Sequence, residues 1–292
     1  MTKSEFDDLI KENLVAQLGY DSFGYNTLDT GKTFYNYYSR EAFSAFLDEM
    51  QTPSYSNIHH SYNIGKGGEL EEHYGRYGTL PPKMASVASS SRFCYLALRD
   101  GATALGTTNP MQFEHECRIT GISGTAPQLD ACIPADNIYV EAKCHEIFDA
   151  HRVIMKGKYH NLIYGVDNAF GFDHRINPDT ETFEIPLSAF GIEKESSMFD
   201  IKQLLCHLLG IASQNKRPAT LVYLFFLPKT TDPLKQHQIN AVSRSLSEEI
   251  CSIWNSAPIR NFCTTNQITL RAVAETAFIM EPLCNDNLVT LA

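Results

Sequence analysis

Hydrophobic residues spaced three and four positions apart predict helices in the first hundred residues of the chain. We expect three of them, at residues 4–18, 39–50 and 83–98. Ser39 suits the N-cap of the second helix, and a pair of prolines directly precedes the third. The stretch 52–77 is rich in Gly, Ser, Tyr and His, so we expect it to form a loop.

Beyond Gly101 the hydrophobic pattern changes from a helical to a strand-like period. The expected strands are 113–119, 127–133, 138–145, 220–227 and 267–274, and the expected helices are 199–211 and 233–254. Residues 220–227 are apolar almost throughout, which is typical of a strand buried on both faces. A less regular stretch, 147–198, has strand-like patches at 162–166 and 183–187.

This order of elements predicts a single α/β unit. Residues 81–292 form its core, with an insertion at 147–198. Residues 1–80 form an N-terminal extension of helices and loop that packs on the core. No internal repeat and no low-complexity linker divides the chain.

The segment 127–146 is the most informative about chemistry. If its two strands form a hairpin around a four-residue loop at 134–137, Ile133 lies opposite Ile138. In that register Asp130 lies directly opposite Glu141, and Lys143 follows on the same face because side chains alternate along a strand. The opposite face is small or apolar and suits a core; it carries Leu129, Ala131, Val140 and Ala142.

Two carboxylates that face each other across a strand pair repel, since their β-carbons are only about 4.5–5.5 Å apart. A hard divalent cation offsets that repulsion, and Mg²⁺ takes one or two carboxylates together with water and phosphate oxygens. A neighbouring lysine can hold the attacking water. Asp130, Glu141 and Lys143 therefore predict a site for metal-assisted hydrolysis of a phosphodiester.

The same residues resemble the signature of the PD-(D/E)XK nuclease superfamily, which has a restriction-endonuclease-like fold. Pro127 and Asp130 supply its first half, with two residues inserted, and Glu141-Ala142-Lys143 supplies the second. The resemblance covers about residues 83–227 and implies an α/β core with a central mixed β-sheet flanked by helices in the order α-β-β-β-α-β. The N-terminal helices are additions to that core.

The resemblance also implies a function. It implies a nuclease that hydrolyses DNA, duplex more than single-stranded, with Mg²⁺ or with Mn²⁺ as a substitute. Asp130, Glu141 and the carbonyl of Ala142 would hold the metal, and Lys143 would position the water. It leaves open whether the chain forms a homodimer.

Other polar residues are weaker candidates for the same site. Many members of the superfamily carry an acid on the first core helix, but residues 83–98 contain none. Glu69 is the candidate substitute, with Glu114 and Glu116 as further options. Gln203 and His207 share a helix face because they are four residues apart, and they resemble the Q-x-x-x-Y motif of RecB-like relatives with His in place of Tyr.

Substrate contacts are expected beyond the third strand. His145 continues the face that carries Lys143. Arg152, Lys156 and Lys158 follow in a stretch with no acid, which would give a phosphate backbone a local positive field.

The charge of the whole chain excludes one class of nucleic-acid binder. Among 292 residues, 34 acids face 24 bases, for a formal net charge of −10. A histone-like protein that binds by bulk phosphate attraction would be basic. The eight cysteines form no C-x-x-C pair and favour a reducing compartment, and no apolar run is long enough to span a membrane, so we expect a cytoplasmic protein.

Two alternatives remain at this point. In the first, residues 127–146 are a surface hairpin with a Glu141–Lys143 salt bridge and a solvated Asp130. In the second, the chain keeps the fold as a non-catalytic module that binds nucleic acid or protein. The acidic balance favours that module, and the nine tyrosines before residue 80 would form its interaction surface.

Overall fold

The computed structural model describes residues 1–19, 21–27, 31–64, 68–75, 78–164, 168–172, 181–276 and 279–282. The α-helices of these residues are α1 (Lys3–Leu18), α2 (Arg40–Met50), α3 (Ser56–Ile64), α4 (Ser90–Leu98), α5 (His160–Ile163), α6 (Ile201–Ser213), α7 (Pro233–Asn255) and α8 (Ala257–Asn266). The strands are β1 (Phe23–Asn26), β2 (Thr33–Tyr38), β3 (His73–Gly75), β4 (Gly78–Leu80), β5 (Gln112–Glu116), β6 (Gln128–Ile133), β7 (Ile138–Lys143), β8 (Val153–Lys156), β9 (Thr182–Ile185), β10 (Ala219–Phe226), β11 (Ile268–Thr276) and β12 (Ile279–Pro282).

A mixed β-sheet flanked by helices forms the centre of the molecule. Within the described residues it has six strands, in the order β12-β11-β10-β7-β6-β5. Strands β5, β6 and β7 are antiparallel neighbours, whereas β7, β10 and β11 run parallel. Parallel strands need long crossover connections, and α6 lies in the one between β7 and β10. The predicted α/β class with a mixed central sheet is confirmed.

Helices cover the two faces of this sheet. Strand β10 is buried on both, as its continuous apolar run predicted. On one face α4 packs against the sheet, with the ring of Phe93 5.0 Å from that of Phe226. On the other face α6 brings His207 to within 3.2 Å of the Tyr223 hydroxyl. Gly210 allows α6 to pack closely against Cys117, the residue after β5. A β-carbon at position 210 would lie 2.6 Å from the Cys117 carbonyl oxygen.

The N-terminal helix packs directly beside the end of β7. Asp7 contacts His145 at 2.7 Å, and the rings of Phe6 and Phe148 are 5.0 Å apart. Asn13 also donates a 2.7 Å hydrogen bond to the carbonyl of Lys229. Helix α1 therefore contacts the segments that follow β7 and β10.

Two predictions in the first hundred residues are wrong. Residues 83–98 are not one helix: a short 3-10 turn at Lys83–Ala85 is separated from α4, which begins after the N-cap Ser89. The buried guanidinium of Arg92 explains the break, because it donates to the carbonyl oxygens of Met84 and Val87, which a continuous helix would use internally.

The predicted loop at 52–77 is also wrong in part. It holds α3 and the β3 strand of a short hairpin, while 65–67 and 76–77 lie outside the described residues. The strand-like patch at 162–166 begins within α5, and its residues 165–166 lie outside the described part. None of the described helices combines the length and the apolar character needed to cross a membrane.

Candidate active site

The hairpin of β6 and β7 has the predicted register. Ile133 pairs with Ile138, Cys132 with Tyr139 and Ala131 with Val140. At the next position the ladder stops, and the Asp130 carboxylate takes the place of a backbone acceptor. Its Oδ2 accepts a 2.7 Å hydrogen bond from the Ala142 backbone N–H, and its Oδ1 accepts one of 3.3 Å from the Ser91 hydroxyl.

A third carboxylate lies on the neighbouring strand. Phe113 pairs with Ala131 and His115 with Leu129, so Glu114 falls opposite Asp130 although it forms no ladder pair. Glu114 has φ of 57°, a left-handed conformation that is uncommon for a non-glycine residue. Acidic side chains from β5, β6 and β7 therefore form a row across three adjacent strands.

Burial and mutual repulsion oppose ionisation of this row. Burial, together with Glu69 and Glu141, raises the pKa of Glu114 to about 7. The pKa of Asp130 lies well above its usual range, first because of burial and then because of Glu141, although the Ala142 N–H works in the opposite direction. A cation bound between these carboxylates would relieve both effects.

Glu141 is held by donors on its own strand and on α6. Its Oε1 accepts 2.6 Å and 2.7 Å hydrogen bonds from Lys143 Nζ and Gln203 Nε2. Burial by itself would lower the pKa of Lys143, but the carboxylates of Glu141 and Glu146 outweigh it and raise this pKa above its usual range. Lys143 is therefore protonated at neutral pH.

These residues line one cleft of about 690 Å³. Its acidic lining residues are Glu69, Glu114, Glu116, Asp130 and Glu141, and its cationic ones are Lys83, Arg118 and Lys143. Gln203, Ser91 and Gly124 also line it. With five carboxylates against three cations among the described residues, the lining is acidic.

The surface-hairpin alternative does not describe this arrangement. Its Glu141–Lys143 salt bridge is present, but the two side chains are only 6% and 13% exposed. Asp130 is partly buried and bonded to α4 and β7 rather than solvated.

Besides Glu114 and Glu116, three of the weaker sequence candidates reach the cleft or its rim. Glu69 is buried, lines the cleft and lies 3.4 Å from Lys83. Gln203 lines it and bonds to Glu141. Lys158 donates to the Ser123 carbonyl at 2.7 Å, and its amine lies beside Gly124 at the rim.

The other candidates do not line the cleft. The strand ends at Lys143, so His145 begins a 3-10 turn and contacts Asp7 of α1 instead of continuing the cleft face. His207 is fully buried between the Tyr223 hydroxyl and the Gln128 carbonyl, and its Nε2 lies 3.8 Å from Glu141 Oε2. Burial lowers the pKa of His207. Arg152, directly before β8, pairs with Glu184 of β9 at 2.5 Å, and Lys156 is exposed on β8.

Sequence reasoning gave Glu114 too little weight. The sequence could have indicated Glu114, because pairing the first core strand with the second places Glu114 opposite Asp130. Ser91 and Lys83 were missed entirely. Their contribution depends on how α4 and the preceding turn pack against β6, which no local pattern predicts.

The donor set suits a hard cation. Among the described residues no group of three or more His, Cys, Asp or Glu side chains is arranged to hold a metal ion. Mg²⁺ needs only one or two carboxylates, and the opposed pair Asp130 and Glu141 supplies two. Comparisons of the chain with protein-family models, with curated proteins and with solved structures find no match.

Proposed function

We propose that this chain is a Mg²⁺-dependent nuclease that hydrolyses phosphodiester bonds of DNA. The observation that carries the proposal is the row formed by Glu114, Asp130 and Glu141 in one cleft with the Lys143 amine. Clustered carboxylates that resist ionisation, beside a fixed lysine, are an arrangement that binds a divalent cation and a phosphate together.

The order of elements supports a restriction-endonuclease-like core of the PD-(D/E)XK type. Helix α4 is followed by the antiparallel strands β5, β6 and β7, then by α6, and then by β10, which runs parallel to β7. This is the α-β-β-β-α-β order that the signature residues imply. Strands β8 and β9 form the hairpin of the insertion.

In this function Asp130, Glu141 and the carbonyl of Ala142 hold the metal. Bound Mg²⁺ supplies Lewis-acid stabilisation of the negative charge that develops on the phosphate. The Ala142 N–H fixes the Asp130 carboxylate, and Gln203 fixes that of Glu141, so that both are oriented before substrate binds. Gln203 is therefore a positioning residue.

Lys143 acts through its charge and its hydrogen bonds. Because its pKa is raised, the amine keeps its proton at neutral pH and is a donor, not a base. It holds the attacking water by donating to it and stabilises negative charge on the phosphate. Glu114, the third carboxyl of the row, is the group that we propose accepts a proton from that water.

The acidic lining favours a second candidate, a non-catalytic binding module. Its expected tyrosine surface finds little support, since Tyr25, Tyr38 and Tyr62 are core residues. Tyr35 and Tyr74 are exposed, but they lie on separate two-stranded hairpins. The nuclease therefore explains the row of Glu114, Asp130 and Glu141 better than the non-catalytic module does.

A plasmid-nicking assay tests the proposal. Wild-type protein should nick supercoiled DNA in Mg²⁺ or Mn²⁺ and not in EDTA, and Glu141→Gln should lose the activity because it removes a metal ligand. Asp136→Asn, on the loop of the same hairpin, is the matched control. If the wild type neither cuts duplex or single-stranded DNA in Mn²⁺ nor binds either in Ca²⁺, the binding module replaces the nuclease.

A further inference from the structure

Strands β6 and β7 separate where they reach the acidic cleft. The last pair of their ladder on this side is Ala131 and Val140, whereas β6 begins earlier in the chain, at Gln128. Gln128 pairs with Glu116 of β5 on its other side. The backbone of β6 on either side of Asp130 is therefore joined to β5 by strand pairing, but at Gln128 it is not joined in this way to β7.

A buried histidine of α6 lies across this gap. His207 is only 1% exposed, and its Nε2 lies 3.1 Å from the carbonyl oxygen of Gln128. Its Nδ1 lies 3.2 Å from the hydroxyl of Tyr223, the residue of β10 that pairs with Glu141 of β7. One imidazole ring thus contacts β6 and β10, on either side of the strand that carries Glu141.

The two partners fix where the proton of this ring lies. A carbonyl oxygen can only accept, so Nε2 of His207 carries the proton and donates it to Gln128. Because burial lowers the pKa of His207, the ring is neutral at neutral pH and its Nδ1 is an acceptor for the Tyr223 hydroxyl. With each nitrogen matched to one partner, the ring has a single orientation.

The same helix face also sets the environment of the Glu141 carboxylate. Gln203, one turn before His207, donates to Oε1 at 2.7 Å. Nε2 of His207 lies 3.8 Å from Oε2, which is beyond hydrogen-bond distance. Helix α6 therefore holds one oxygen of Glu141 by a hydrogen bond and supports the β6 backbone beside the other.

We propose that His207 is a positioning residue of the metal site. By holding the carbonyl of Gln128, it fixes the start of β6, and with it Asp130, at the distance from Glu141 that suits one divalent cation. Its burial excludes contact with the substrate. The inference rests on the proposed nuclease function. Removal of an outer group that orients metal ligands typically lowers metal affinity or activity by about 10- to 100-fold.

Two amide variants separate the two contacts of the ring. The amide nitrogen of glutamine is as many bonds from the β-carbon as Nε2 of histidine, and that of asparagine as many as Nδ1. His207→Gln therefore keeps a donor for Gln128 and should bind Mg²⁺ much as the wild type does. His207→Asn loses this donor and should bind Mg²⁺ about 10- to 100-fold more weakly.

The dependence of Tm on Mg²⁺ concentration in the full chain measures this affinity without any cleavage. His237→Asn, an exposed histidine on α7, is the control and should respond as the wild type does. Equal losses in His207→Gln and His207→Asn, or wild-type affinity in His207→Asn, would overturn the proposal.

Cleavage kinetics distinguish positioning from a general loss of structure. At low Mg²⁺, His207→Asn should have a lower kcat than the wild type and an unchanged KM for DNA, because the side chain does not touch substrate. Saturating Mg²⁺ should restore the rate. A defect that persists at saturating Mg²⁺, or one confined to KM, would contradict a role in positioning the metal ligands.

A measurement on the metal-free wild type needs no variant to remain folded at high yield. Long-range proton–nitrogen NMR should show the His207 proton on Nε2 at pH 7, and a proton on Nδ1 would overturn the assignment. If the wild type neither gains Tm with Mg²⁺ nor cleaves DNA, the proposed function fails and this inference fails with it. If the wild type does both and His207→Asn matches it, only this inference fails.

Discussion

The backbone N–H of Ala142 donates a 2.7 Å hydrogen bond to Oδ2 of Asp130. A side chain thereby replaces the last backbone acceptor of the β6–β7 ladder, and the carboxylate is held at the point where the two strands separate. This contact fixes the orientation of the Asp130 carboxylate, which the strand register places beside Glu141.

Removal of the Asp130 charge should abolish the response to metal while sparing the fold. A ligand that binds only the folded state stabilises it by mass action, by about 2.7 kcal/mol at 100 times Kd. Millimolar Mg²⁺ should therefore raise the Tm of the wild type, and Asp130→Asn should not respond. The amide oxygen can still accept from Ala142, so metal-free stability should stay equal or improve.

Calorimetry with and without Mg²⁺ measures both effects. Asp136→Asn carries the same chemical change outside the cleft lining and should respond as the wild type does. An equal metal-induced rise in Asp130→Asn and in the wild type would place the metal elsewhere.

Glu114 should make metal-free stability depend on pH. Its folded-state pKa is about 7 against an ordinary value of 4.5, so its contribution is fully present below pH 4.5 and is lost as the pH rises toward 7. In EDTA, the free energy of unfolding should fall over this interval, by at most about 3 kcal/mol from this group.

Glu114→Gln should remove that part of the decline, which urea unfolding at pH 5 and pH 8 would detect. Glu116→Gln on the same strand is the control, and its pH profile should parallel that of the wild type. Parallel profiles for Glu114→Gln and the wild type would contradict the assignment.

Lys143 should matter for the rate of cleavage more than for metal binding. Lys143→Met keeps much of the side-chain volume but removes a charge from the proposed phosphate site, and the loss of one such group typically lowers the rate by about 10²–10³. The metal-induced rise in Tm should persist, because no ligand is lost.

Single-turnover cleavage and thermal unfolding of the same preparation separate the two effects. Lys235→Met, on α7 and outside the cleft, is the control and should cleave normally. Wild-type rates for Lys143→Met would remove Lys143 from the mechanism.

Glu249 should be a major determinant of stability although it lies outside the cleft. Its buried Oε1 accepts hydrogen bonds from Ser197 Oγ at 2.5 Å, Met198 N at 2.6 Å and Phe199 N at 3.0 Å, just before α6 begins. Glu249→Ala removes an acceptor from all three donors and leaves the Met198 N–H with none, since Ser197 Oγ and Phe199 N also bond within the loop. It should lower the free energy of unfolding by about 2–4 kcal/mol.

Urea unfolding measures the loss directly. The neighbouring Glu248 is exposed, so Glu248→Ala should change stability by less than about 0.5 kcal/mol. Similar losses in the two variants would show that the loop before α6 is not held by Glu249.

The sequence by itself determined the local geometry of the candidate site. The tight loop after Ile133 and the alternation of side chains set the register of β6 and β7, and that register opposes Asp130 to Glu141. The apolar run of β10 likewise predicted a strand buried on both faces. These features depend on neighbours within a few residues, where periodicity and turn length leave few alternatives.

Only the tertiary structure decided which distant residues join the pair. Gln203 and His207 lie on one face of α6; Gln203 donates a hydrogen bond to Glu141, whereas His207 is buried between Tyr223 and the Gln128 carbonyl, with its Nε2 3.8 Å from Glu141. His145 contacts Asp7, which is 138 positions away in the chain. Contacts of this kind depend on how helices dock on the sheet, and that docking is set by the packing of the whole core, which no local pattern of residues encodes.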